Sequence, residues 1–264
     1  MGSATREALA GTRAALAGLG RAELQAADDL LAAARVIGAT PHLRTALIDA
    51  EADEAQKRAL VAQVFGSRIA PEAATLLVSA ASQRWSSGND FLAGLEELGF
   101  RLASEAAGRD VQVDAELFAF ERTVAHDAEL ELALGSKLGA AAAKSQLVER
   151  LLATRASAAT VAIVRHLVQQ PRGRRIGEML RQAASIVADQ RGFDVATITT
   201  AVPLTEEQRE RLERSLAATA GRSIRFDTIV DPAVLGGVRV QLGDDVIDGS
   251  VASRLSDLRL KLAG

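Results

Sequence analysis

Near Phe193 the spacing of apolar residues changes from a helical period to a period of two, and this switch divides the chain into two kinds of structure. From Ala4 to about Gln190 the chain reads as successive amphipathic helices. Leu60, Val61, Val64 and Phe65 recur at i, i+1, i+4 and i+5, which places them on one helical face. Pro71 suits the first turn of the next helix, which then turns Leu76, Leu77 and Ala80 inward. Gly38, Gly66, Ser86-Ser87-Gly88 and Gly108 separate the segments at bundle-like intervals. Beyond Phe193, Val195, Thr197 and Thr199 alternate with Ala196, Ile198 and Thr200, the pattern of a strand rich in β-branched residues. Thr205-Glu206-Glu207-Gln208 has capping-box form and opens a helix with Leu212 and Leu216 on its seam and Gly221 to close it. Ile224, Phe226 and Thr228 predict a second strand, Val238, Val240 and Leu242 a third, and Val246-Ile247 a short fourth. A last helix carries Val251, Leu255, Leu258 and Leu262 on one stripe, with Arg254 off it. The expected fold is mainly α: an N-terminal helical bundle region followed by a small α+β C-terminal domain.

Composition favours the same division. Aromatic residues are only 3% of the 264, and Tyr is absent, so Ala and Leu must fill the core. Small side chains fill space when helices approach closely, which argues for an all-α body. The net charge of −3 provides no basic field for nucleic acid. The absence of cysteine excludes a disulfide framework, a thiolate metal site and thiol catalysis. No run approaches the roughly 18 apolar residues of a membrane span. Arg6 and Glu7 leave no room for the apolar region of a signal peptide, and Arg6 stands where a myristoylation start needs Ser or Thr. A soluble, cytoplasmic protein is expected, without direct membrane insertion.

Within the helical part the apolar pattern occurs twice. Lys57 and Lys144 lie 87 positions apart (144 − 57), and the same shift aligns Leu30 with Leu117, Leu43 with Leu130 and Leu47 with Leu134. It also aligns Leu60 with Leu147, Val61 with Val148, Leu76-Leu77 with Ile163-Val164 and Gln83 with Gln170. Ala/Leu-rich helices match one another at some offset by chance. A register that runs without a gap through several breakers instead favours a duplicated unit. The expected divisions are a first bundle unit over 1–107, a second over 108–191 and the α+β domain over 192–264.

Sharper chemistry finds little support. His42, His126 and His166 are scattered without metal-ligand spacing, which suits surface or satisfied core positions. Asp244, Asp245 and Asp248 lack the periodicity of a calcium loop. Gly135-Ser136-Lys137 resembles the end of a phosphate loop, but Leu130 stands where the upstream Gly belongs. No nucleophile motif is present, so no catalytic, cofactor or metal residue is assigned and no small-molecule substrate is expected. Arg165, Arg172, Arg174, Arg175 and Arg181 form the main basic cluster. It is either a solvated helix end or, through Arg172, Arg174 and Arg175, a docking patch for an acidic segment of another chain. Trp85, the lone tryptophan, suits burial under a helix junction or an interface anchor.

The tail carries a family resemblance. Asp231-Pro232-Ala233-Val234-Leu235-Gly236-Gly237-Val238-Arg239-Val240, continued by Gly243-Asp244-Asp245-Val246-Ile247-Asp248-Gly249-Ser250-Val251 and Arg254-Leu255, resembles the C-terminal signature of ATP synthase δ subunits, whose mitochondrial counterpart is the oligomycin-sensitivity-conferring protein. Ala201-Val202-Pro203-Leu204-Thr205 resembles the family's entry into this domain. Gly236-Gly237 suits a bulge or close backbone approach, and Asp244 and Asp248-Gly249 suit turns. The additional helical unit resembles the longer δ subunits of actinobacteria. Its second copy directly precedes the tail, where the family's bundle sits, although the helix over Arg6–Leu16 could equally serve as the family's first. The resemblance implies a non-catalytic stator subunit without cofactor, on the cytoplasmic face of the membrane. Its implied partners are the N-terminal segments of the catalytic α subunits and the b-type peripheral stalk. Val251, Arg254, Leu255, Leu258 and Leu262 are candidates for the stalk contact, or for packing on the domain's own sheet. A general helical adaptor, unrelated to the synthase, is the alternative that accounts for the body but not for the tail.

Overall fold

Helix starts in this chain are fixed by local chemistry legible in its sequence. Asp53 and Gln56 form a reciprocal capping box, Ser87 accepts from the Asp90 amide and Ser157 from that of Thr160. Pro41 and Pro71 occupy first turns, where a missing N–H costs nothing. The computed structural model describes residues 2–20, 22–136, 139–220, 223–232, 234, 236–242 and 245–248. It divides into two compact units, Met1–Val187 and Ala188–Gly264.

The first unit is helical: α1 (Ser3–Gly18), α2 (Leu24–Ala39), α3 (Pro41–Leu47), α4 (Glu54–Val64), α5 (Pro71–Ser82), α6 (Gly88–Ala107), α7 (Val113–Ala125), α8 (Ala128–Gly135), α9 (Ala141–Leu152) and α10 (Ala158–Gln169). Most of α11 (Ile176–Gln190) completes it. Helix α6 is its axis, buried almost all round from Phe91 to Ser104. It packs on α1, α2, α5 and α10. Small residues permit the close approach that composition requires. Ala26, Ala27, Ala33 and Ala34 of α2 are buried, and Leu31 lies directly over Gly99 of α6. Trp85 is half-buried at the α5–α6 junction, its Nε1 donating to the Ala80 carbonyl at 2.8 Å and its ring lying over Gly94.

Helix positions repeat. α3, α4 and α5 begin at 41, 54 and 71, and α8, α9 and α10 begin at 128, 141 and 158, each 87 residues later. Packing partners repeat as well. α1 lies on α5 as α6 lies on α10, α2 meets α3 and α5 as α7 meets α8 and α10, and α4 meets α5 as α9 meets α10. Under this shift α1 corresponds to α6, so α6 closes the first set of helices and opens the second.

The second unit is a four-stranded sheet with one helix described against it. β1 (Phe193–Thr200), α12 (Glu206–Ala220), β2 (Ser223–Val230), β3 (Val238–Leu242) and β4 (Asp245–Asp248) give the strand order β2-β1-β3-β4. β1 and β2 are parallel, with α12 as the crossover, while β3 and β4 add antiparallel. The predicted capping box at Thr205 and Gln208 forms, at 2.9 and 3.3 Å. Register places Ala196, Ile198, Phe226 and Val240 on one face, where they pack with Leu204, Leu212, Ile224 and Val238. The chain is thus mainly α with a small α+β C-terminal domain, as the periodicity indicates.

Candidate interaction site

Two adjacent carboxylates on α6, Glu96 and Glu97, are buried and point to different neighbours, because consecutive helical residues are turned by about 100°. Glu97 Oε1 accepts from Arg13 of α1 at 2.7 Å and from Arg101 at 2.8 Å. Glu96 accepts from His166 Nε2 at 3.2 Å, from Arg174 at 3.0 Å and from Arg172. Arg35 of α2 approaches His166 Nδ1 at 3.0 Å. Guanidinium can only donate, so Nδ1 accepts and the ring proton sits on Nε2, directed at Glu96. Burial alone would push the Glu96 carboxyl up, but the His166 hydrogen bond and the charges of Arg172 and Arg174 hold it below the ordinary range. Burial lowers His166, and Arg35 and Arg172 reinforce the shift against the opposing pull of Glu96.

This cluster organises the connection between α10 and α11. Arg172 adopts a left-handed backbone (φ 49°), uncommon for a residue with a Cβ, and Gly173 follows at φ 80°. The Glu96 pair holds Arg172 in this conformation. Arg174 donates through Nε to the Pro171 carbonyl and through Nη2 to Glu96. Two of the three arginines in the suggested docking patch therefore face inward. Arg175 is exposed.

Arg175 lines a cleft of about 770 Å³ between α8 and the α10–α11 connection, with Ala128, Glu131, Leu132, Pro171 and Ile176. Leu132 is 73% exposed, more than any other large apolar side chain of the described residues. Elsewhere Arg165 bridges Asp28 of α2 at 2.6 Å and Glu149 of α9 at 3.6 Å. His42 and His126 are on the surface, and His166 is a satisfied core residue. No group of metal-ligating side chains occurs among the described residues.

The tail signature is partly visible. The Asp231 amide donates to the Thr200 carbonyl at 2.8 Å, and Pro232 is exposed beside it. Gly236 and Gly237 adopt φ 71° and 85°, so left-handed backbone explains both glycines. Asp248 ends β4 opposite Arg239 of β3. Gly243, Asp244, Gly249, Val251, Arg254, Leu255, Leu258 and Leu262 lie outside the described residues.

The model of the family "ATP synthase delta (OSCP) subunit" matches residues 100–262. The ATP synthase subunit delta of Leifsonia xyli subsp. xyli is 54% identical over the whole of both chains. This chain belongs to the ATP synthase δ (OSCP) subunit family. The δ subunit of Streptomyces avermitilis is 40% identical over 98% of each chain, and that of Streptomyces coelicolor 37% identical over 100% of this chain and 98% of its own. A chain in a structure of the Toxoplasma gondii mitochondrial ATP synthase hexamer aligns at TM-score 0.40 and 21% identity, covering 58% of this chain and 87% of its own, too weak a likeness to argue from. The family model begins inside α6, so the δ-family bundle corresponds to α6–α11 and the helices before it are additional.

Proposed function

We propose that the chain is a non-catalytic stator subunit of an F-type ATP synthase, tying the catalytic α/β head to the b-type peripheral stalk so that the head does not turn with the rotor. The observation that carries this reading is the end-to-end match to the Leifsonia δ subunit at 54% identity. The helical unit is the part assigned to the N-terminal segments of the α subunits. The tail stripe Val251, Leu255, Leu258 and Leu262, with Arg254 beside it, is assigned to the stalk. No helix of the described residues is long and apolar enough to cross a membrane, so attachment to the cytoplasmic face runs through other subunits.

We further propose that α2–α6 and α7–α11 are a duplicated unit, a reading supported by the common shift of 87 in helix starts and by the matching packing partners. Residues ahead of the family match would then extend the clamp beyond the family's usual bundle. Sedimentation of the chain with purified head tests the stator role. Binding to intact head, and not to head lacking the α N-terminal segments, is the expected result. Failure to bind either would leave the match as ancestry without the stator role.

A further inference from the structure

The two halves of the helical unit differ at one corner. In the first half, α3 and the α5–α6 turn are bridged by the chain itself. Arg44 lies against Gly88, where an added Cβ would sit 2.9 Å from its Nε, and Thr5 of α1 bonds Ser86 Oγ at 3.0 Å. Shifted by 87, Arg44 becomes Glu131, Gly88 becomes Arg175 and Ser86 becomes Gly173. The bridging groups are gone. What remains is the cleft of about 770 Å³, with Glu131 on the α8 wall, Arg175 on the opposite wall and Leu132, Pro171 and Ile176 between them. Glu131 and Arg175 are both exposed, and no ion pair joins them among the described residues. Arg174, the other cation there, is already paired with Glu96.

Apolar side chains flanked by unlike charges on opposite walls specify an occupant. We propose that this cleft docks an amphipathic helical segment of another subunit of the synthase, with a basic residue on its α8 side and an acidic residue on its Arg175 side. Helix-in-groove recognition takes this form, an apolar face giving affinity and flanking charges giving orientation. Leu132 stands out from the wall instead of lining an enclosed hole, which suits a helix face better than a small molecule. The proposal rests on the stator reading, since it takes the partner from the synthase.

A photoreactive amino acid at position 132, in cells whose sole copy of this chain carries it, tests the idea on the intact complex. The expected result is a cross-link into a different subunit, within an amphipathic segment bearing the stated charges. Arg175→Ala should lower the yield severalfold, and Glu131→Arg with Arg175→Glu should lower it tenfold or more, with the chain still in the complex. Cross-links confined to this chain or to a second copy, or a yield indifferent to both variants, would overturn the proposal. If the chain does not co-purify with the synthase at all, the stator reading fails, and the docking partner with it.

Discussion

His166 Nε2 lies 3.2 Å from Glu96 Oε1, and the two side chains are 0% and 4% exposed. This contact joins α10 to α6 across 70 residues of sequence, and Arg35 extends it to α2. A buried carboxylate is tolerable here because each of its neighbours donates to it.

Removing that carboxylate should be costly. Glu96→Ala leaves Arg172 and Arg174 partly buried without their counter-ion, and a loss of about 3–5 kcal/mol is expected. Calorimetry of the full chain would register a clear fall in Tm. A change below about 1 kcal/mol would mean that the cluster is solvated in practice.

Acid should weaken the same cluster. Both Glu96 and His166 are depressed in the folded state, so the unfolded chain binds more protons than the folded one near their ordinary values. Stability should therefore be full above about pH 6.5, fall as His166 is protonated on unfolding, and fall further below about 4.5 through Glu96. Denaturant midpoints measured from pH 8 to 5 should decline for the natural chain and flatten for His166→Gln. An equal slope in both would dismiss His166 as its source.

The left-handed backbone at Arg172 can be read by a pair of substitutions. Each loses the pair to Glu96, but Gly adopts φ 49° freely and Ala does not. Arg172→Ala should be less stable than Arg172→Gly by about 1 kcal/mol in urea titrations. Equal values would remove the strain from the account.

Two helical glycines should respond in opposite directions to alanine. At Gly99 the new Cβ would lie 2.4 Å from Leu31 Cδ2, itself locked in the core, and overpacking by about 1–3 kcal/mol is expected. At Gly18 nothing lies within 4 Å, so the lower chain entropy of alanine should stabilise by roughly 0.5 kcal/mol. Thermal melts of the two variants against the natural chain decide the point.

Much of the fold was written in short-range signals. Pro71, Thr205 with Gln208, and the alternation over Val195–Thr199 each lie within a few residues of the element they define. The interaction site was harder to read, because its groups come from α2, α6, α10 and the α10–α11 connection. A cluster of arginines drew attention to Arg172 and Arg174, but a charge run does not reveal which members turn inward. The missing clue was Glu96-Glu97 inside the run Phe91–Phe100, acidic residues in a segment otherwise apolar or glycine. Such carboxylates must find cations when the helix is buried on all sides, and Arg13, Arg101, Arg172 and Arg174 are those cations. His166 gave no signal at all, since a lone histidine on an apolar face looks the same whether it is bonded or not.

The central position of α6 also sets a timetable for biosynthesis. Helices α1, α2 and α5 leave the ribosome with apolar faces that only α6 covers, and 25 further residues separate the end of α5 at Ser82 from the end of α6 at Ala107. At roughly 5–20 residues per second, the nascent chain waits about 1–5 seconds with those faces open to water and to other nascent chains. Helix α6 then has a second set of faces to cover, and α10 arrives only after another fifty or so residues. A chaperone that holds apolar helices has its longest opportunity in that interval.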